Sequence, residues 1–415
     1  HHSGFDATGT ATLMIMLALL LATAALFPVL GPVALGAPVL ALIGYLGWDI
    51  RLSIDPLLYD QPIITDAIDK FSVLPDTQSF LLTGLGFGLI LGLGGFAGAV
   101  FSTARLFMAV AGVSGPIGLF LIALWRSDIL DVDMFFGGFA LALAAGFLGA
   151  LSIIDRRMPA TAHGRDGALA TYTVGTIGMI ATAMFILLGD GWLPLGLAAL
   201  AVATVWFGWP LPGLAKTAIG IAGLVLVTIF WQPTIVPADQ LGTTPVFNAL
   251  LWGYGGPAMA FWACVWMLRQ SGDVRHRLVF EGLAIFTSLA TGAVILHHVT
   301  NQGIFHTVPD TLMEWSLQSL LALSAAIGLQ RLDRSLASPV MSRCILGLGF
   351  AGFFMLGMLN LLLLNPLMSG EFVGNGLFFN LLLSAYLLPA ILTGLLATRL
   401  SGGKPESYRR TAEVL

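Results

Sequence analysis

Residues 79–101 read SFLLTGLGFGLILGLGGFAGAVF and contain no charged side chain. About 20 consecutive apolar residues are enough for an α-helix to cross the hydrocarbon core of a bilayer. The glycines from Gly84 to Gly98 suit such a helix, because small residues let neighbouring helices approach closely in lipid. The run therefore predicts a tightly packed transmembrane helix rather than a phosphate-binding loop.

The composition extends this prediction to the whole chain of 415 residues, of which 57% are hydrophobic and 10% are charged. Ordinary soluble domains carry about 25% charged residues, so a soluble fold is excluded. Lys and Arg total 18 against 22 Asp and Glu, which also excludes a nucleic-acid-binding module. Because the apolar runs are continuous rather than alternating, they favour helices over a transmembrane barrel. The predicted fold class is an all-α polytopic membrane protein.

Thirteen apolar runs, separated by polar or Gly/Pro breaks, predict 13 transmembrane helices. They lie at residues 9–29, 32–48, 79–101, 105–125, 134–154, 168–188, 191–208, 213–231, 246–268, 278–297, 311–330, 340–364 and 374–399.

The basic residues are distributed unevenly between the two sides that these spans define. One side holds 15 of the 18 Lys and Arg residues, and the other side holds Arg51, Lys70 and Arg126. The positive-inside rule makes the first side cytoplasmic, together with the C-terminus. With 13 spans, residue 1 then lies outside, so we expect an odd number of further spans upstream of it.

The pattern F-N-x5-Y-x2-P-A occurs twice, beginning at Phe247 and at Phe379, with all five positions offset by 132 residues. Each copy marks the fourth helix of a four-helix unit, and an even number of helices makes the two units parallel. We therefore predict tandem parallel four-helix repeats. The predicted divisions are 1–31 (first span and outer N-terminal segment), 32–157 (a degenerate four-helix unit), 165–275 and 276–402 (the two repeats) and 403–415 (a cytoplasmic tail).

Each repeat places a tyrosine and a proline inside its fourth helix, and an asparagine near the start of that helix. These residues are Asn248, Tyr254 and Pro257 in the first repeat and Asn380, Tyr386 and Pro389 in the second. A proline inside a helix removes a backbone hydrogen bond and kinks the helix. The Tyr–Pro pair is interpreted either as a hinge that lines a substrate cavity or as a packing kink copied by duplication. The asparagines are interpreted as interhelical hydrogen-bonding groups rather than as ligands.

The segment from His297 to Glu314, which joins the tenth predicted span to the start of the eleventh, concentrates groups that titrate or bind metals. His298, His306, Asp310 and Glu314 could form a zinc site or an acid/base pair at the outer membrane face. No fixed ligand spacing such as H-E-x-x-H is present, and the two acids also suit the start of a helix. A catalytic hypothesis and a structural one therefore stand side by side, and neither a metal nor a cofactor is predicted.

The predicted spans contain few other ionisable side chains. Glu281 follows Arg277 by one turn, which predicts an ion pair within one helix. Asn360, Tyr172 and Gln318 are the kind of polar group that the spans offer instead. Ion-coupled transporters usually place carboxylates or basic residues near the midplane, so this composition argues against proton-coupled transport.

Several segments resemble a bacterial family of predicted multi-span membrane proteins, domain of unknown function 2339. They are the two Y-x2-P-A helices, N-P-L at 365–367, E-G-L-A at 281–284, E-W-S-L-Q at 314–318 and G-W-L at 191–193. The resemblance covers residues 165–400 well and the first part of the chain poorly. It implies a multi-pass protein of the bacterial inner (cytoplasmic) membrane that is longer upstream, and it implies no particular activity.

Three functions are compatible with these features. The first is a cell-envelope protein that binds or moves an amphipathic substrate, a lipid or a lipid-linked glycan, because Gly-rich helices with few charges suit an apolar cavity. The second is a membrane enzyme with the outer-face His/carboxylate site. The third is a scaffold or assembly subunit of a larger complex. The expected partners are the lipid bilayer, a lipid or lipid-linked substrate, and other proteins or the upstream part of the same chain, but not nucleic acid.

Overall fold

A computed structural model describes residues 7–48, 75–126, 133–188, 191–208, 214–235, 244–301, 311–336, 338–370, 372–376 and 380–401. Helices account for most of these residues, and no β-strand occurs among them. The chain divides into two compact units, His1–Gly189 and Asp190–Leu415. The helix at 165–187, which begins the first predicted repeat, belongs to the first of these units.

The described part of the first unit contains six α-helices. They are α1 (Ala7–Leu26), α2 (Gly36–Leu46, entered through the 3-10 turns Pro28–Leu35), α3 (Pro75–Phe101), α4 (Arg105–Arg126), α5 (Met134–Arg157) and α6 (Arg165–Leu187). Local chemistry sets the helix ends. The Asp133 carboxylate accepts a 2.9 Å hydrogen bond from the Phe136 amide and so caps α5. Gly164, with φ of 77°, supplies the left-handed residue before α6.

The described part of the second unit contains seven longer α-helices and one short turn of helix, Pro366–Ser369. The long ones are α7 (Leu193–Gly208), α8 (Leu214–Ile235), α9 (Gly256–Ser271), α10 (Val274–Thr300), α11 (Leu312–Leu336), α12 (Pro339–Phe354) and α13 (Leu388–Ser401). Three π-helical segments adjoin them. Leu251–Gly255 leads into α9, Met355–Leu363 continues α12, and Leu383–Leu387 leads into α13.

This architecture confirms the all-α membrane class predicted from the sequence, and each of the 13 longer helices among the described residues overlaps one of the 13 predicted apolar runs. Within the described part of the chain, ten helical segments are long and apolar enough to cross a membrane. The apolar stretches of α7 and α8, Leu193–Phe207 and Lys216–Phe230, are shorter. At 1.5 Å per residue each covers only about 22 Å, which is less than the roughly 30 Å of a hydrocarbon core.

Helix pairs build the first unit. α3 packs along α4, α5 packs along α6, and α4 also contacts α6. The α3–α4 crossing is very close, because a Cβ atom added at Gly95 would lie 2.4 Å from the Cα atom of Gly112. Tyr45 ties α2 to the start of α3, since its ring stacks on Phe80 and its hydroxyl donates a 3.1 Å hydrogen bond to the Phe80 carbonyl. α3 and α5 touch at few positions, and a space remains between them.

In the second unit, the prolines of the repeated pattern follow π-helical turns. A proline has no N–H for the carbonyl four residues earlier, and its ring crowds that carbonyl. Pro257 follows the π turn Leu251–Gly255, and Pro389 follows the π turn Leu383–Leu387. The wider turn moves the crowded carbonyl away, so the predicted kinks take the form of π-helical turns.

Candidate functional site

An apolar groove of about 780 Å³ lies between α3 and α5 in the first unit. One wall is a stripe on α3 at helical spacing, made of Leu81, Leu85, Gly88, Gly92 and Phe96. The opposite wall is a stripe on α5, made of Phe135, Phe139, Ala142, Gly146, Gly149 and Ile153. We call this space the α3–α5 groove. Its volume falls within the range of small-molecule binding sites.

Small residues create the width of the α3–α5 groove. A Cβ atom added at Gly88, Gly146 or Gly149 would meet no other atom within 4 Å. Residues of α4 and α6 form the floor, and exposed leucines such as Leu89 and Leu93 on α3 line the open side. The groove is therefore open along its length and has room for a further apolar group.

One end of the α3–α5 groove is closed by an aromatic and cationic cluster. Tyr45 lines this end and stacks on Phe80. The Arg126 guanidinium lies 5.3 Å from the centroid of the Phe80 ring and donates hydrogen bonds to the carbonyls of Leu46 and Trp48. Arg126 thus neutralises the C-terminal end of α2. This is a structural use for one of the three basic residues predicted outside.

The other end of the groove leads to two exposed arginines. Ile153 is the last lining residue on α5, and Arg156 and Arg157 follow it within one turn. Within the described part of the chain, neither guanidinium has an ion pair or a hydrogen bond. The neighbouring Asp155 carboxylate is paired with Arg165 at 2.5 Å. The positive charge of Arg156 and Arg157 is therefore not neutralised by the adjacent acid.

A buried tyrosine also borders the groove. Tyr172 of α6 is 1% exposed, and its ring meets Phe96 and Phe147 edge-on at centroid distances of 6.5 and 6.1 Å. A Cβ atom at Gly112 would lie 3.0 Å from the Tyr172 hydroxyl, so this glycine makes room for it. The hydroxyl has no hydrogen-bond partner among the described residues. An unpaired buried hydroxyl is destabilising by about 1–3 kcal/mol.

In the second unit, the structure pairs Glu314 with His297 rather than with the predicted His298. The fully buried Glu314 carboxylate lies 2.5 Å from His297 Nδ1. Its second oxygen accepts a 3.1 Å hydrogen bond from the side-chain amide of Asn301. A buried carboxylate needs such partners, because an isolated charge is strongly disfavoured in an apolar interior. The pair joins the end of α10 to the start of α11.

The remaining members of the predicted outer-face cluster do not join this pair in the described structure. His298 is buried, and its Nδ1 lies 3.3 Å from the side-chain amide of Asn248. His306 and Asp310 lie outside the described residues. Among the described residues, no group of three His, Cys, Asp or Glu side chains is placed to hold a metal ion. The described part of the predicted outer-face cluster therefore contains a His–carboxylate pair, His297 with Glu314, and a separate His–Asn pair, His298 with Asn248.

The two tyrosines of the repeated pattern make equivalent hydrogen bonds. The Tyr254 hydroxyl donates to the Ile229 carbonyl of α8 at 3.1 Å. The Tyr386 hydroxyl donates to the Asn360 carbonyl, in the π-helical continuation of α12, at 2.8 Å. Each tyrosine thus ties the fourth helix of its predicted repeat to the third. Each hydroxyl thus donates its proton to the preceding helix, which positions the two helices, and the hinge and cavity-lining interpretations stay predictions.

The two asparagines of the pattern act mainly on their own segments. The Asn248 side chain donates to the Thr244 carbonyl and accepts from the Leu250 amide, both at 3.0 Å. Asn380 makes the same two bonds 132 residues later, with Gly376 and Leu382, also at 3.0 Å. Both side chains therefore organise the entry to their helices, and Asn248 adds the interhelical contact with His298.

The opposite end of the second unit holds a charged cluster around the start of α10. Arg277 Nε lies 3.2 Å from Glu281 Oε1, which is the ion pair expected from their spacing, and the Ser338 hydroxyl also donates to the Glu281 carboxylate. Asp273 caps α10 through the His276 amide, and its second oxygen lies 2.6 Å from His276 Nδ1. Partial burial opposes ionisation of Asp273, but the His276 hydrogen bonds outweigh it and hold the pKa of this carboxyl below its ordinary value.

Sequence reasoning did not find the α3–α5 groove or the partner of Glu314. The signal for the groove was the column of small residues Gly88 and Gly92 on α3 with Gly146 and Gly149 on α5, which also fits close helix packing. For Glu314, adjacent histidines point to different sides of a helix, so the rotation of α10 decides which of them faces α11.

Comparison with known families assigns the chain to one of them. The family model described as "Predicted membrane protein (DUF2339)" matches residues 4–415. The match includes the first part of the chain, where the sequence resembles the family poorly. No curated protein and no solved structure matched the chain. Because the match spans nearly the whole chain, this polytopic membrane protein belongs to the DUF2339 family.

Proposed function

We propose that the first unit binds the apolar chain of an amphipathic membrane lipid, or of a lipid-linked glycan, in the α3–α5 groove. The single observation that carries this proposal is the groove itself, an apolar space open along two membrane-spanning helices. In lipid, helices associate by close packing rather than by a hydrophobic force. A space left between two such helices is therefore filled by a hydrocarbon chain.

The proposal places the protein in the inner membrane of a bacterial cell envelope, with the basic helix ends in the cytoplasm. The motive is the uneven distribution of Lys and Arg between the two sides. The test uses a chain without Cys264 and Cys344 that carries either Thr161→Cys, in an exposed basic-side loop, or Thr244→Cys, exposed on the opposite side. An impermeant thiol reagent should label the Thr244 variant in intact spheroplasts, and labelling of only the Thr161 variant contradicts the orientation.

Binding of a lipid hydrocarbon chain is tested by narrowing the α3–α5 groove. Gly146→Leu places an isobutyl group in open groove space, whereas Gly138→Leu, also on α5 and free of neighbours within 4 Å, lies outside the groove lining. A phospholipid with a photoreactive diazirine on its acyl chain should cross-link to α3 and α5 in the unaltered protein. Gly146→Leu should reduce this yield several-fold, and Gly138→Leu should not. Equal yields in all three proteins, or adducts confined to other helices, contradict the proposal.

The matching features around the two tyrosines support a second proposal, that residues 165–275 and 276–402 are parallel repeats of one four-helix unit. Hydrogen bonds, π-helical turns and prolines recur at the same offset of 132 residues. In this arrangement each tyrosine fixes the position of the fourth helix of its repeat relative to the third. An experimental structure in which Tyr254 and Tyr386 occupy non-equivalent helices contradicts it.

A further inference from the structure

The α3–α5 groove is longer than one leaflet of a bilayer. Its lining runs from Leu81 to Phe96 on α3 and from Phe135 to Ile153 on α5. At 1.5 Å per residue these stripes are about 22 and 27 Å long. A hydrocarbon core of about 30 Å gives each leaflet about 15 Å. A phospholipid acyl chain that starts at one membrane face therefore ends before the groove does.

The two ends of the groove differ in charge. At one end the Arg126 guanidinium is engaged with carbonyls and with an aromatic ring. At the other end Arg156 and Arg157 are exposed within one turn of Ile153, and the nearby Asp155 is paired with Arg165. Arginine suits phosphate because its planar guanidinium donates two parallel hydrogen bonds. An anionic head group is therefore complementary to the Arg156–Arg157 end.

We propose that the occupant of the α3–α5 groove is a polyprenyl phosphate or a polyprenyl-linked phosphate ester. Its phosphate binds at Arg156 and Arg157, and its chain runs along α5 past the membrane midplane. This inference rests on the proposed lipid-binding function and names the lipid. Hydrocarbon chains gain little from leaving one apolar environment for another. Selectivity therefore comes from the charge at one end and from the length of the groove.

The alternative occupants are ordinary phospholipids, one from each leaflet, arranged end to end. Two positions on the same face of α5 separate these cases. Gly149 lies in the half of the groove nearer the arginines, and Ala142 lies two turns further on, about 10 Å away. A phospholipid bound at the arginines reaches Gly149 but ends near the midplane. A polyprenyl chain passes both positions.

The experiment measures dissociation constants of two probes for the purified full chain in detergent micelles, by native mass spectrometry. The probes are a long-chain polyprenyl phosphate and dioleoyl phosphatidic acid, which share a phosphate head group. The variants are Gly149→Phe, Ala142→Phe and the control Gly138→Phe outside the groove. Thermal unfolding of each variant verifies that it is folded.

Gly149→Phe should weaken the binding of both probes by about tenfold or more, because the ligand must compete with a phenyl ring for the same space. Ala142→Phe should weaken the binding of polyprenyl phosphate to the same extent. It should change the dissociation constant of phosphatidic acid by less than about twofold. The double change Arg156→Gln, Arg157→Gln should weaken the binding of polyprenyl phosphate about tenfold and leave the binding of uncharged polyprenol unchanged.

The outcomes separate the inference from the function on which it rests. If Ala142→Phe has no effect on polyprenyl phosphate while Gly149→Phe weakens both probes, the groove binds lipid but the polyprenyl assignment is wrong. The polyprenyl assignment is also wrong if the double change Arg156→Gln, Arg157→Gln leaves the binding of both phosphate-containing probes unchanged. If Gly149→Phe and Gly138→Phe behave alike with every probe, the groove is not a binding site and both proposals fail.

Discussion

The contact between Gly95 and Gly112 yields a quantitative prediction about the α3–α5 groove and its surroundings. In Gly95→Ala the new methyl group would lie 2.4 Å from Gly112 Cα, 2.6 Å from Gly112 N and 2.8 Å from the Met108 carbonyl oxygen. All three are backbone atoms, so no side-chain rotation relieves the overlap. Ordinary contact begins near 3.4 Å, and α3 and α4 must therefore separate by about 1 Å.

We expect Gly95→Ala to lower the free energy of unfolding by about 1–3 kcal/mol, the usual effect of overpacking. For a unit of this size the corresponding fall in melting temperature is roughly 2–12 °C. The matched control is Gly88→Ala on the same helix, where the new methyl group meets nothing within 4 Å. Alanine has a higher helix propensity than glycine, so the control should be neutral or more stable by up to about 1 kcal/mol.

The assay is thermal unfolding of the purified protein in one detergent, followed by scanning fluorimetry at matched concentrations. The quantity of interest is the difference between the two variants, which share a helix and a chemical change. Equal melting temperatures for Gly95→Ala and Gly88→Ala would refute the close α3–α4 crossing. They would also remove the geometric basis for the groove, because α3 forms one of its walls.

Four further predictions concern single polar groups. Tyr172→Phe should leave stability unchanged or raise it by up to about 1–3 kcal/mol, because it removes an unpaired hydroxyl; a large loss would show that the hydroxyl has a partner. His297→Ala should destabilise the protein by about 3–5 kcal/mol in thermal unfolding, because it leaves the buried Glu314 carboxylate without the imidazole beside it, and a double change to leucine should recover part of the loss. Tyr386→Phe should reduce stability by about 1 kcal/mol through loss of its hydrogen bond to α12, and an unchanged melting temperature would contradict that bond. The pKa of Asp273 lies below its ordinary value in the folded protein. The Asp273 carboxylate therefore contributes fully to stability above about pH 4, and this contribution is lost as the pH falls through the folded pKa. Melting curves of Asp273→Asn should lack this acid-dependent component.

The positions of the helices could be predicted from the sequence because bilayer thickness sets their length. The prediction of a span at 105–125 differs by one residue from α4, and the span predicted at 134–154 starts where α5 starts. Each is an apolar run of about 20 residues bounded by charges, which requires no knowledge of neighbouring helices. The predicted repeat boundary at 165 is not where the compact units divide, because α6 packs with α4 and α5.

The groove could not be predicted, because α3 is apolar on every side. In a soluble protein the apolar face of a helix identifies the side that packs. On α3 the exposed Leu89 and Leu93 are as hydrophobic as the buried Phe87 and Leu91, so the sequence does not indicate its rotation. The same ambiguity applies to His297 and His298, which are adjacent and chemically identical. Only the packing of α10 against α11 decides that His297 meets Glu314.

Glycine has two opposite uses in the first unit, and only the surroundings of each residue distinguish them. At Gly95 and Gly112 the missing side chain lets two backbones touch, which closes the space between α3 and α4. At Gly88, Gly146 and Gly149 the missing side chain leaves space that no other protein atom in the described structure fills. A space of this kind that faces a bilayer is filled by lipid, since hydrocarbon chains surround the helix on that side. If the groove binds lipid as proposed, Arg156 and Arg157, which have no ion pair among the described residues, favour a lipid with a phosphate.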